Sequence, residues 1–195
     1  MSSPADLPSM IRRAQRLEPE AFEWLVDAYS ARLYGFLWRL TGNRAEAEDL
    51  VQEVFVRVVR AIGGYQEDGR FDAWLFRIAA NLARDRIRRL HRGREAAFVD
   101  EEEGEEPVEV SRERAATEVV HADPSAALEL GEDMERLERA LTTLPSAERQ
   151  VILLRHYGNM SFAEVAEAMG TPLGTALARA HRGLRKLRSV MESEA

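Results

Sequence analysis

Between Gly93 and Arg136 the chain carries fifteen acidic residues and four Arg, a net charge of −11. Its first part, "GREAAFVDEEEGEEPVEVSRERAATEVVHAD", nearly lacks large apolar residues and shows no helical stripe. Such a segment cannot bury enough surface to offset the entropy of ordering it. A flexible acidic linker is therefore expected over residues 93–124. It divides the chain into a unit at 18–92 and a unit at 125–195, with a disordered N-terminus at 1–17.

Charge on either side of this segment reads differently from the total. The 195-residue chain has a net charge of −7. Residues 1–92 hold 15 Arg against 13 acids, and residues 137–195 hold 8 bases against 6 acids, so each block is +2. Within the blocks the bases cluster, as in "RDRIRRLHRGR" (84–94) and in the five bases of 179–188. This distribution keeps nucleic acid open as a partner.

Outside the linker the periodicity is helical. "EPEAFEWLVDAYSARLYGFLWRLTG" begins with Pro19 as a first helical residue and stops at Gly42. "RAEAEDLVQEVFVRVVRAIGG" stops at Gly63–Gly64. "YQEDGR" reads as a loop, and "FDAWLFRIAANLARDRIRRLHRG" as a third long helix. After the linker, "DPSAALELGEDMERLERALTTL" is helical up to Pro145, Ser146 caps the next helix, and Ser161 with Glu164 forms a capping box. The expected fold class is all-α: an N-terminal helical bundle and a C-terminal helix-turn-helix, two small helical domains joined by the linker.

"SFAEVAEAMGTPLGTALARAHRGL" has helix-turn-helix spacing, with Gly170 at the turn. At ~100° per residue, Leu173, Ala176, Leu177, Ala180, Leu184 and Leu187 share one arc of the last helix, read as its buried back. Thr175, Ala178, Arg179, Arg182, Arg185 and Lys186 lie opposite, and Thr171 opens the helix. A basic front of this kind suits a major groove.

The N-terminal unit has two further faces. Leu50, Val51, Val54, Phe55, Val58, Val59 and Ile62 form an apolar arc opposite Asp49, Gln52, Glu53, Val56 and Arg60, which suits a docking surface. On the next helix Arg77, Asn81, Arg84 and Arg88 run in a stripe headed by Trp74. Arg supplies phosphate contacts, Asn a base-edge partner and Trp a stacking plane for unpaired bases. The preceding loop could shape a pocket for an extruded base.

The stretches "DLVQEVFVRVVRAI", "FDAWLFRIAANLARDRIRR" and "LPSAERQVILLRHYGNMSFAEVAEAMGTPLGTALARAHRGLRKLR" together resemble an extracytoplasmic-function, or group 4, sigma factor of bacterial RNA polymerase. The resemblance covers roughly 20–92 and 126–189. It implies that Asp49, Gln52, Glu53 and Phe55 dock on the beta-prime subunit of core RNA polymerase, with the beta subunit as a further contact. It implies that loop 64–71, with Tyr65, Arg70 and Phe71, and the stripe Trp74, Arg77, Asn81, Arg84 and Arg88 melt and capture the minus-ten element. It implies that Thr171, Thr175, Arg179, Arg182, Arg185 and Lys186 engage the minus-thirty-five element. Promoter DNA, duplex and single-stranded, is the implied nucleic acid, and an anti-sigma factor an implied regulator. The chain departs from the family at Ala176-Leu177-Ala178, where Val-Lys-Ser is common.

No catalytic nucleophile, metal cluster or phosphate-cradling Gly loop stands out, so no enzyme activity and no cofactor or metal are expected. There is no Cys, and the four His show no ligand spacing. No apolar run approaches the ~18 residues of a membrane span, so no membrane contact is expected. "MSSPADLPSM" does not read as a signal peptide, and a cytoplasmic protein is expected. The other reading is a helix-turn-helix regulator that binds duplex DNA without polymerase.

Overall fold

The computed structural model describes residues 7–97, 134 and 136–193, and of 90–97 the backbone alone. Every regular element among them is helical: α1 (Leu7–Gln15), α2 (Pro19–Thr41), α3 (Arg44–Ala61), a 3₁₀ turn (Ile62–Gly64), α4 (Phe71–Ala97), a helical stretch at 136–142, α5 (Ser146–Tyr157), α6 (Phe162–Met169) and α7 (Leu173–Ser193). The linker expected at 93–124 lies outside the described residues from 98 onward. Its first five residues continue α4.

Local chemistry sets most boundaries. Pro19 opens α2, and Gly42 closes it at φ 67° with its N–H donating to Trp38 O. The Asn43 side chain accepts from the Glu46 N–H and starts α3. Ser161 and Glu164 form the expected capping box, and Gly170 makes the turn into α7 at φ 62°. Ser146 does not cap α5. Pro145 holds the cap position with no side-chain hydrogen bond, and Ser146 is already the first helical residue. Pro's fixed φ and missing N–H suit the chain just ahead of a helix.

The order at 7–15 departs from the expectation of a disordered N-terminus. Ile11 and Ala14 of α1 are fully buried. Gln15 Nε2 donates to Ile62 O at 3.2 Å and Tyr65 O at 2.6 Å, tying α1 to the 3₁₀ turn and the loop after it. A nine-residue helix is marginal alone, and tertiary burial supplies what propensity does not.

In the N-terminal unit Leu33, Phe36 and Leu37 of α2 meet Leu50, Val54 and Val58 of α3 and Leu75, Phe76 and Ala79 of α4. In the C-terminal unit Val151 and Leu154 of α5, Met160, Val165 and Ala168 surround Ala176, Ala180 and Leu187 of α7. Here the buried arc of α7 differs from the expected one. Leu173, Leu177 and Leu184 are 48%, 44% and 55% exposed, whereas Ala176, Ala180, Gly183 and Leu187 face inward. The cause is close approach. A Cβ on Gly183 would lie 2.7 Å from Ile152 Cδ1 and 3.3 Å from Glu148 Cβ, so α7 turns its small residues to α5 and carries the leucines outward.

The two units pack together in the free chain. Tyr157, the last residue of α5, lays its ring against Phe36 (centroids 6.0 Å apart) and Phe76 (6.1 Å). Gly35 leaves the notch for it: a Cβ there would stand 3.2 Å from the Tyr157 hydroxyl oxygen. Arg32 donates to Tyr157 O at 2.7 Å and to Asp72 at 2.9 Å. Arg39 pairs with Glu138 at 2.8 Å.

Candidate nucleic-acid interfaces

On α3, Asp49, Gln52, Val56 and Arg60 are exposed, as the two-faced pattern requires. Glu53 is half-buried, with Arg57 3.9 Å away. Phe55 is half-buried against the core, where it supports the helix from behind. Val59, expected inside, is 45% exposed and joins Val56 (47%) on the outer face. Asp49 and Glu53, with Arg57 and Arg60, surround the two exposed Val in a mixed-charge surface.

On α4 and the loop before it, the aromatic residues form a tier. Phe71 is 1% exposed and packs edge-on against Tyr29 and Tyr65. It cannot reach DNA, contrary to its place among the expected contacts. Phe71 is instead the floor beneath Tyr65 and Trp74, whose rings lie 4.9 Å apart and tilted by 42°. Burial beside Glu67 and Asp68 pushes the Tyr65 hydroxyl up to about 12, so it stays a neutral donor at physiological pH. Phe71→Ala removes that floor, and we expect a loss of about 3–5 kcal/mol of stability. Urea denaturation followed by circular dichroism measures it.

At the end of that loop and farther along α4, basic side chains are occupied. Arg70 Nε donates to Glu164 Oε1 at 2.8 Å, and Arg70 Nη2 bonds Glu164 Oε2. Arg77 Nη1 donates to Glu167 Oε1 at 2.7 Å, and Arg84 Nη2 to the Ala168 carbonyl at 2.9 Å. All three acceptors belong to α6, the first helix of the helix-turn-helix. Asn81 and Arg88 lie on the same face and are exposed. Burial works to raise the Glu164 carboxyl, but hydrogen bonds from Ser161 and Arg70 outweigh it and hold it below its ordinary 4.5.

On α7 the expected basic front splits. Arg182 Nε donates to Glu148 Oε1 at 2.9 Å, and Lys186 Nζ stands 3.2 Å from Glu148 Oε2. Glu148 is nearly buried on α5. Its desolvation is overcome by these two cations, which lower its carboxyl. Arg182 and Lys186 therefore brace α7 on α5, each with about half its side chain still exposed. Arg179 is half-buried and Arg185 and Arg188 are exposed; none of the three forms an ion pair among the described residues. The Thr171 hydroxyl oxygen is buried, so this residue shapes the turn rather than offering a hydroxyl to a groove. Thr175 is half-buried. Sequence reasoning missed Glu148, Tyr157, Glu164 and Glu167 as partners of these surfaces. The acids at 164 and 167, on the polar side of a short apolar helix, were the available signal.

Among the described residues no group of His, Asp and Glu is placed to hold a metal ion, and no helix is long and apolar enough to cross a membrane.

Two helical units, the second a helix-turn-helix with a basic outer face, define a DNA-binding helical protein. Comparison with known proteins narrows the class. The family model for Sigma-70 region 2 matches residues 25–93, and that for Sigma-70, region 4 matches residues 134–187. The ECF RNA polymerase sigma factor SigW of Bacillus subtilis is 33% identical over 179 residues, covering 91% of this chain and 92% of that one. The RNA polymerase sigma factor CarQ of Myxococcus xanthus is 35% identical over 172 residues, covering 88% and 90%. The solved structure of the sigma factor RpoE in complex with the anti-sigma factor NepR from Bartonella quintana shares the fold, with a TM-score of 0.61 at 21% identity over 89% of this chain and 98% of that one. The chain belongs to the extracytoplasmic-function sigma factors of the sigma-70 family, alternative sigma factors that serve transcription initiation.

Proposed function

We propose that the chain docks on core RNA polymerase through the outer face of α3, with Asp49, Gln52, Glu53, Val56 and Arg60 in contact and Phe55 behind them. The Tyr65–Trp74 tier with Asn81 and Arg88 takes unstacked bases of the minus-ten element. Arg70, Arg77 and Arg84 join it once α6 departs. α7 lies on the minus-thirty-five element, with Arg179 and Arg185 on phosphates, Arg182 and Lys186 adding charge from their braced positions, and Thr175 and the Thr171 turn setting its entry. Melting is driven by binding energy, with no covalent chemistry in the chain. The work is done in the cytoplasm.

The observation that supports this reading is the covered basic surface: Glu164, Glu167 and the Ala168 carbonyl occupy Arg70, Arg77 and Arg84 in the free chain. The minus-ten and minus-thirty-five elements are about 25 base pairs apart, about 85 Å at about 3.4 Å per base pair. One compact particle cannot span that distance with its halves in contact. The halves part when the chain engages a promoter, and the stripe is then free. An anti-sigma factor is the corresponding regulator, by analogy with the Bartonella quintana complex.

Reconstitution with core polymerase and a promoter library tests the proposal. The expected result is initiation at a defined promoter class and negligible melting by the chain alone. Tight duplex binding with no initiation at any promoter would instead establish a polymerase-independent regulator.

A further inference from the structure

The two leucines that open α7 are out of place for packing. Leu173 and Leu177 are 48% and 44% exposed, one turn apart on the same side of the helix. They lie in the first two turns of the second helix of a helix-turn-helix, whose N-terminal residues meet base edges in the major groove. Their neighbours offer no long polar reach: Gly174, Thr175 and Ala178 fill the remaining outward positions, and Arg179 is the first long donor. Cations follow along the helix: Arg185 and Arg188, about two to three turns beyond Leu177, are exposed and form no ion pair among the described residues. An apolar tip ahead of a basic stretch fits nucleic acid, with charge on the phosphates and the tip on the bases.

In the major groove only thymine presents an apolar group, its C5 methyl. Adenine, guanine and cytosine would leave donors or acceptors unpaired against Leu, which is unfavourable. Resting on the assignment of α7 to the minus-thirty-five element, we infer that Leu173 and Leu177 are its base-reading residues and that each reads a thymine methyl. Four residues advance about 6 Å along a helix, and a helix inclined in the major groove covers about one base per three to four residues. The two thymines, on either strand, therefore lie on neighbouring base pairs.

The test uses holoenzyme reconstituted with the full chain. A minus-thirty-five element is selected from a randomised library, and each thymine is replaced in turn by deoxyuridine, which lacks only the methyl. Two neighbouring positions should each lose about fourfold in affinity, the factor for burying one methylene-sized group. Leu173→Ala should erase the loss at one position and Leu177→Ala at the other. Leu184→Ala, about 10 Å farther along the helix, should leave both losses intact. Arg185→Ala and Arg188→Ala should weaken binding to all sequences alike and flatten its salt dependence. If those Arg variants are silent, the assignment of α7 to this element fails. If they act while deoxyuridine is neutral at every thymine, the leucine reading fails and the assignment of α7 stands. Loss of core binding in the leucine variants, with deoxyuridine sensitivity unchanged, also overturns the inference in favour of a protein contact.

Discussion

Replacing Glu164 and Glu167 by Gln, together with Tyr157 by Ala, releases the C-terminal unit from the Arg stripe in the free chain. Gln keeps the capping box of α6, because an amide oxygen can still accept the Ser161 N–H that the Glu164 carboxylate accepts at 2.7 Å. What is lost is the charge facing Arg70 and Arg77 and the ring lodged between Phe36 and Phe76. Exposed ion pairs contribute about 0.5 kcal/mol each, so the two Gln substitutions alone should raise affinity for a single-stranded minus-ten oligonucleotide only a few-fold. With Tyr157→Ala added, the gain should reach the order of tenfold. The radius of gyration, measured by small-angle scattering, should rise clearly above the about 16 Å of a compact chain of this length. An unchanged radius and unchanged oligonucleotide affinity would show that the contact does not hold the stripe.

Acid should mimic the variant. The Glu164 carboxyl sits below its ordinary 4.5 in the closed form, so its contribution is full above that value and is lost as pH falls through the depressed one. Opening therefore belongs to strongly acidic solution, and the contact is fully charged at neutral pH.

The second large effect lies on α3. Charge reversal of Asp49 and Glu53 to Arg should lower affinity for core polymerase by about a hundredfold, within the range for charges desolvated at an interface. Stability should fall by no more than about 1 kcal/mol, since Asp49 is exposed and half-buried Glu53 gives up only its pair with Arg57. Fluorescence anisotropy with labelled chain and core enzyme measures the first, and urea titration the second. Equal core affinity for variant and parent would remove α3 from the docking assignment.

Much of this arrangement is written in local sequence. Pro19 and Gly42 bound α2, Asn43 and the Gly63–Gly64 pair bracket α3, and Ser161 with Glu164 starts α6. Each depends on a backbone preference or hydrogen bond spanning a few residues, and such signals are visible without the fold. The exposed face of α3 and the alignment of Trp74 with Arg77, Asn81 and Arg84 were legible for the same reason. Other features depend on neighbours remote in sequence. α1 is ordered through Gln15 and two core side chains. The rotation of α7 depends on how closely Gly183 approaches Ile152. Glu148 captures Arg182 and Lys186 from another helix, turning two expected DNA contacts into braces. Phe71 changes from contact to floor because Tyr29 stands beneath it. A helical wheel fixes the spacing of side chains around an axis but not the angle at which that axis meets its neighbours, and that angle decided these cases.

Gly35 makes the docking of the two units adjustable by a single position. Arg39 Nη1 and the Tyr157 hydroxyl oxygen lie 3.1 and 3.2 Å from where its Cβ would be. A graded series at this site, Ala then Val then Leu, inserts a wedge of increasing thickness between the two units. It forms a molecular shim, by which the resting separation of the halves can be set stepwise and transcription read out against it.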